Sequence, residues 1–253
     1  MADRAAATDP TGPKGPLGPT PPDATSESGL RWRGPLLALG LIGLLGCVLI
    51  LAMLAATVQA QERDALDTFA SPFFHGLASP PLDALMNAAS FVGSDLTVVP
   101  LAVLLAIGLW WAGKRREALF LGAALGGSLV VNLAMKLFFH RPRPTLPWAH
   151  VLPDYSFPSG HSMNSLVFGL ALALIAWRLL GPRWGAFAVG LAVLASLVIG
   201  VSRVYLGYHY ATDVIGGFAS AILWVAFVVG VFRASRWRGR LRSVWTGLRQ
   251  PSP

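Results

Sequence analysis

The sequence contains a single cysteine, Cys47. One thiol allows no intramolecular disulfide and suggests no thiolate metal site, and its place inside an apolar run reads as packing. Charge is scarce too: Asp, Glu, Lys and Arg make up 13% of the chain against 54% hydrophobic residues, which excludes an ordinary soluble domain. Residues 1–30 have little to bury and are rich in Pro, Gly, Thr, Ser and Ala, so they are expected to form a disordered tail. They also lack the basic-then-apolar pattern of a cleavable signal, and the first apolar run is therefore expected to stay as a span. The net charge of +8 does not point to nucleic acid, because the basic residues fall between and after apolar runs, where they set membrane topology.

What the chain does contain is six uncharged runs, at 36–58, 96–113, 118–135, 162–177, 184–202 and 214–232. A helix rising about 1.5 Å per residue crosses a hydrocarbon core of about 30 Å in roughly 20 residues, and such runs are too long for buried strands. Small residues recur in them, as at 122–128 (GAALGGS), where backbones can approach closely in lipid. None shows the repeated polar face of a water-filled path, so Asn132 and Asn164 are expected to bond neighbouring helices. Between the first two runs, Leu66, Phe69, Phe73 and Phe74, then Leu82, Leu85, Met86 and Ala89, recur at helical intervals among prolines. This predicts two short interfacial helices, a connector resting on the membrane with a lid over the site as the alternative. The expected fold is all-α: a six-transmembrane-helix bundle over 31–235 with short interfacial helices in the first extracytoplasmic loop, followed by a basic cytoplasmic tail at 236–253.

Lys and Arg predict the orientation. With the N-terminus inside, 15 of the 20 basic residues fall on the inner side, and the first outer loop is acidic. The positive-inside rule then gives a multi-pass protein of the cell membrane with both termini cytoplasmic. Four of the five basic residues left outside, Lys136, Arg141, Arg143 and Arg203, lie in three polar clusters: KLFFHRPRP at 136–144, PSGH at 158–161 and SRVYLGYHYATD at 202–213.

These clusters would meet at one membrane face, the extracytoplasmic one, and their inventory suits phosphoryl transfer. Lys136, Arg143 and Arg203 can surround the equatorial oxygens of a transferring phosphoryl group. His209 precedes Asp213 by four residues, so on a helix the carboxylate can hold the imidazole in one tautomer as a nucleophile. Ser159 can cap a helix whose first-turn N–H groups face an anion, which leaves His161 as general acid. Pro142 and Pro144 should break the helix after Lys136 and turn Arg143 towards the site. Arg141 is expected to be an electrostatic accessory. His75, His140 and His150 are expected to be exposed, and Trp148, Tyr155, Tyr208 and Tyr210 to form an aromatic belt.

The order and spacing of the three clusters resemble the type 2 phosphatidic acid phosphatase superfamily. Lys136 with Arg143 and Pro144, the run from Pro158 to His161, and Ser202, Arg203, His209 and Asp213 match its pattern without departure. The resemblance implies metal-independent phosphoester hydrolysis through a phosphohistidine on His209. It implies phosphate binding by Lys136, Arg143, Ser159, Gly160 and Arg203, with no cofactor. A site at a membrane face suits a lipid phosphate substrate such as phosphatidic acid, phosphatidylglycerol phosphate or undecaprenyl diphosphate. A soluble phosphomonoester, transfer of phosphoryl or phospho-headgroup to a lipid or sugar acceptor, and a catalytically silent scaffold or transporter stay open, as does the oligomeric state.

Overall fold

The computed structural model describes residues 33–60, 64–149 and 152–247, with side chains at 33–37, 39 and 235–247 left aside. The expected tail at 1–30, and His150, lie outside the described residues. Among those described there are helices and no strands: α1 (Arg33–Gln59), α2 (Ala65–His75), α3 (Pro80–Val92), α4 (Asp95–Trp111), α5 (Arg115–Phe139), α6 (Gly160–Leu180), α7 (Pro182–Tyr205) and α8 (Ala211–Gly247). Two compact units divide between Ile42 and Gly43; the first contributes only the opening turns of α1, and the helices that carry the site all belong to the second.

Five helices are individually long and apolar enough to cross a membrane: α1 from Gly40, α5, α6, α7, and α8 as far as Ala234. The run at 96–113 differs from expectation. Helix α4 has only 17 residues, about 26 Å at 1.5 Å per residue, and passes as a span only together with α3, to which it is bent by 45°. The break falls at Gly93 and Ser94. A Cβ on Gly93 would stand 2.3 Å from Cγ2 of Ile199, so the lack of a side chain lets the end of α3 press against α7. The Ser94 and Thr97 hydroxyls both donate to the Phe91 carbonyl at 2.7 Å and so satisfy a backbone acceptor freed by the break. Helix α8 runs on to Gly247, through much of the segment expected as a basic tail.

Helix α6 lies at the centre of the packing. Its Met163, Leu166, Val167, Ala171 and Ile175 meet Val98 and Ala102 of α4, Leu121, Ala124 and Leu125 of α5, and Ala221 and Val225 of α8. Small residues set the spacing: a Cβ on Gly169 would come within 2.7 Å of the Ala192 Cβ of α7. Polar side chains inside the bundle bond across helices. Ser128 Oγ donates to Asn164 Oδ1 at 2.6 Å, Asn164 Nδ2 to Asp95 Oδ1 at 2.9 Å, and Asn132 Nδ2 to the Pro158 carbonyl at 3.3 Å. Large apolar side chains such as Leu104, Trp111, Val130 and Leu194 face outward, as lipid-facing positions do.

Helix α2 is turned the other way from a water-soluble amphipathic helix. Leu66, Phe69 and Phe73 are exposed, while Asp67, Ala70 and Ser71 are buried. The aromatic face points away from the protein, and the polar face carries Asp67 to the start of α8, where its Oδ1 accepts from the Thr212 amide at 2.9 Å. The segment is therefore more than a connector, because its carboxylate is a tertiary contact.

Candidate active site

Each polar cluster sits where a helix starts or stops. Helix α5 ends in Lys136 to Phe139, and His140, in the left-handed region at φ 48°, closes it by donating its amide to the Lys136 carbonyl at 3.0 Å. Proline follows at once, so the chain leaves extended and delivers Arg141 and Arg143 to different partners. Arg143 donates from Nη1 to the Tyr208 carbonyl at 2.6 Å and lies 3.2 Å from His209 Nε2. Arg141 is buried. Its Nη1 lies 2.5 Å from Asp213 Oδ1 and 2.8 Å from Thr212 Oγ1, and its Nη2 is 2.7 Å from Asp67 Oδ2. Its role is thus internal: it neutralises two buried carboxylates from α2 and α8, which is more than an electrostatic accessory to the phosphate would do.

At the start of α6, Ser159 is the N-cap and its Oγ accepts from the Ser162 amide at 3.4 Å. The Ser159 amide donates to the Asp213 carbonyl at 3.0 Å, which ties this turn to the first turn of α8. Gly217 permits the approach, since a Cβ there would lie 2.8 Å from the Ser159 carbonyl oxygen. Behind Gly160 stands Asn132, whose Oδ1 would meet a Cβ at 3.1 Å. His161, one residue further, is half-buried, and Arg203, His209, Lys136 and Arg143 all act on it electrostatically.

Helix α7 ends by placing Arg203 under the same site. This guanidinium is buried, donates to Ser90 Oγ of α3, lies 4.2 Å over the Tyr208 ring, and has no hydrogen-bond partner at Nε. Gly207, at φ +75°, then turns the chain where a Cβ would collide with Ala149, and the Tyr208 and His209 amides both return to the Arg203 carbonyl.

His209 lies in this turn, two residues before α8 begins, so the expected helical pairing with Asp213 is replaced by a turn-to-helix contact. His209 Nδ1 is 3.5 Å from Asp213 Oδ2, and Ser156 sits beside both: its Oγ is 3.4 Å from Nδ1 and donates to Asp213 Oδ2. The Tyr210 amide donates to the same oxygen at 2.9 Å. Burial lowers the His209 pKa to about 4, Asp213 opposing and Arg143 and Arg203 assisting, so the imidazole is neutral near pH 7. With Nδ1 facing the Asp213 carboxylate, the tautomer protonated at Nδ1 leaves the Nε2 lone pair on the side of Arg143.

One residue absent from the sequence reading joins both ends of the site. Asp154, in the loop between α5 and α6, places Oδ2 2.5 Å from Lys136 Nζ and Oδ1 2.7 Å from Arg143 Nη2 and 2.8 Å from Nε. Desolvation would raise its pKa, but Lys136 and Arg143 outweigh it and hold the carboxyl below its ordinary value. Its only signal in the sequence is a lone acid in the loop leading to PSGH. His75 also departs from expectation: it is half-buried and stacks on Trp148, ring centroids 4.1 Å apart at 2°, which takes Trp148 out of a lipid-facing belt. A cavity of about 330 Å³ opens beside Lys136 and Asp154 and continues along Leu129, Leu133 and Leu137 of α5.

The structure therefore gathers Lys136, Arg143, Ser159, Gly160, His161, Arg203, His209 and Asp213 where α5, α6, α7 and α8 start or end. Residues 117–237 match the model of the PAP2 superfamily. The chain is 29% identical to phosphatidylglycerophosphatase B of Bacillus subtilis, over 72% of this chain and 91% of that protein. It is 31% identical to the undecaprenyl-diphosphatase BcrC of the same organism, over 59% of this chain and 75% of that one. The crystal structure of the transmembrane PAP2-type phosphatidylglycerolphosphate phosphatase from Bacillus subtilis aligns with a TM-score of 0.68 at 28% identity, covering 76% of this chain and 96% of that one.

Proposed function

Since the chain belongs to the PAP2 superfamily and is a multi-pass membrane phosphatase acting on phosphoric esters, we propose that it hydrolyses a lipid phosphate or polyprenyl diphosphate through a phosphohistidine on His209. The observation that carries this reading is the carboxylate of Asp154 seated between Lys136 and Arg143, with Arg143 Nη1 3.2 Å from His209 Nε2. These two cations thus hold an anionic group close to the neutral His209 imidazole, which supports a site built for a phosphoryl group beside a nitrogen nucleophile. The adjoining cavity along Leu129, Leu133 and Leu137 offers room for the first part of an apolar chain, which favours a lipid.

In the first step the Nε2 lone pair attacks phosphorus as the P–O bond to the leaving group breaks, and His161 gives its proton to the departing oxygen. Lys136, Arg143, Arg203 and the amides at the start of α6 hold the three equatorial oxygens as charge shifts onto the leaving group. Asp213 keeps the Nδ1 proton in place throughout. In the second step His161 takes a proton from water, the hydroxide attacks phosphorus, the Nε2–P bond breaks, and phosphate leaves.

The topology belongs to the same reading. Six crossings, counting α3 with α4 as one, and the inward bias of basic residues support a topology with both termini in the cytoplasm and the site at the outer face. On this arrangement α2 lies at the outer interface with its exposed phenylalanines in lipid. The test is phosphate release by purified protein from undecaprenyl diphosphate, phosphatidylglycerol phosphate, phosphatidic acid and a soluble phosphomonoester, with a labelled acceptor alcohol present. Release from one or more lipids, insensitive to chelator, inhibited by vanadate and absent in His209→Gln, is expected. Turnover of the soluble ester alone would overturn the lipid reading, and label in the acceptor would make the enzyme a transferase.

A further inference from the structure

A second cavity, of about 300 Å³, lies at the other end of the bundle, between the start of α5, the end of α6 and α8. Arg116 and Lys136 are twenty residues apart on α5, so this cavity is roughly 30 Å from the catalytic residues at 1.5 Å per residue. Three guanidiniums line it, those of Arg116, Arg178 and Arg233, against one carboxylate, Glu117.

The carboxylate is already answered. Glu117 is only 5% exposed, and Arg178 Nη1 holds its Oε1 at 2.8 Å. Arg116 donates from Nη2 to the Phe232 carbonyl and lies 5.9 Å over the Phe232 ring, so its guanidinium is fixed by an aromatic face and a backbone oxygen. The lining thus holds three guanidiniums against one carboxylate at a depth where an apolar span ends. The remaining wall is apolar: Phe120, Leu174, Ile175 and Val229 continue the cavity towards the middle of the helices.

We propose that this cavity binds the phosphodiester headgroup of an anionic glycerophospholipid, with the upper part of an acyl chain against the apolar wall. Guanidiniums present paired N–H donors that match two phosphate oxygens, and they desolvate more readily than an ammonium, which suits a headgroup drawn into a pocket. The apolar wall selects a lipid over a free ion. The site is separate from the phosphatase reaction and does not depend on it. A bound headgroup would clamp α5, α6 and α8 together, the three helices that carry Lys136, His161 and Asp213 at or near their other ends. A ligand that binds only the folded bundle stabilises it by mass action.

The full-length protein in a neutral detergent, titrated with phosphatidylglycerol, phosphatidylcholine or inorganic phosphate, gives the test. Native mass spectrometry counts retained lipid, and a melting curve reads the stabilisation. Wild type should retain phosphatidylglycerol over phosphatidylcholine by at least tenfold and melt several degrees higher with it. Arg116→Gln with Arg233→Gln should lose both effects. Arg115→Gln removes one charge from the same end of the bundle outside the cavity, its side chain lying over Trp110, and should keep both. Arg178 is left intact because its removal would strand the buried Glu117. Equal losses in Arg115→Gln, or equal retention of phosphatidylcholine, would overturn the proposal. So would full stabilisation by inorganic phosphate alone, which would make the cavity a free-anion site.

Discussion

Asp154 and Lys136 form the shortest ion pair at the mouth of the site, 2.5 Å between Oδ2 and Nζ, and the other oxygen of the same carboxylate is 2.7 Å from Arg143 Nη2. On the proposed mechanism a substrate phosphoryl group uses the same two cations, so Asp154 would give them up when phosphate binds. The pair is half solvent-exposed on the carboxylate side, which limits its worth to about 1 kcal/mol. Asp154→Asn is therefore expected to tighten vanadate or inorganic phosphate inhibition by roughly fivefold, the equivalent of about 1 kcal/mol. Inhibition constants measured for both proteins at one pH check it; weaker inhibition in the variant would mean that Asp154 positions the cations and does not compete for them.

The pH dependence of the proposed nucleophile, His209, follows from its burial. With His209 lowered to about 4 from an ordinary 6.5, the imidazole stays neutral and reactive across the range where an exposed histidine would protonate. The acid limb of kcat/KM assigned to His209 should lie near pH 4. Stability has the same sign. Between pH 6.5 and 4 the unfolded chain binds a proton that the folded one refuses, so stability is full above 6.5 and falls as the pH drops, by an amount on the order of 3 kcal/mol. Melting curves of wild type and His209→Gln over that interval should converge at low pH, because the variant lacks this loss. Parallel curves would show that His209 titrates normally.

Arg141 carries the support of the site more than its chemistry. Its two ends hold Asp213 at 2.5 Å and Asp67 at 2.7 Å, both carboxylates being almost wholly buried. Arg141→Met leaves two buried carboxylates with no cation between them, a loss of about 3 to 5 kcal/mol by comparison with other broken buried pairs. Arg141→Lys restores one contact but not the fork, and should recover only part of the loss. Thermal unfolding in detergent measures this, and a melting temperature unchanged in Arg141→Met would remove Arg141 from the scaffold.

The long apolar runs were legible because lipid requires every backbone group in a span to bond within its own helix: the run at 184–202 lies within Pro182–Tyr205, and that at 162–177 within Gly160–Leu180. The three clusters were legible because each sits at a helix end. Asp154 and Asp67 were not. Asp67 reaches a residue 145 positions away, and its helix was read by its apolar face, which points away from the protein. The union of α3 with α4 was hidden for a related reason: Gly93 and Ser94 look like an ordinary boundary until Ile199 is packed against them.

The orientation can be decided independently of activity. Thr145, in the loop that follows α5, and Arg183, in the first turn of α7, are both exposed and lie at opposite ends of the helices that separate them. On the proposed topology Thr145 faces outward with the catalytic residues, and Arg183 stays with the basic inner loops. In sealed right-side-out vesicles of a Cys47→Ala protein, a membrane-impermeant thiol reagent should label Thr145→Cys and spare Arg183→Cys. Permeabilising the vesicles should then expose the second site, which controls for thiol reactivity. The reverse pattern would put the catalytic residues in the cytoplasm, and phosphate would then be released inside, where a lipid made there could reach the enzyme without first being flipped.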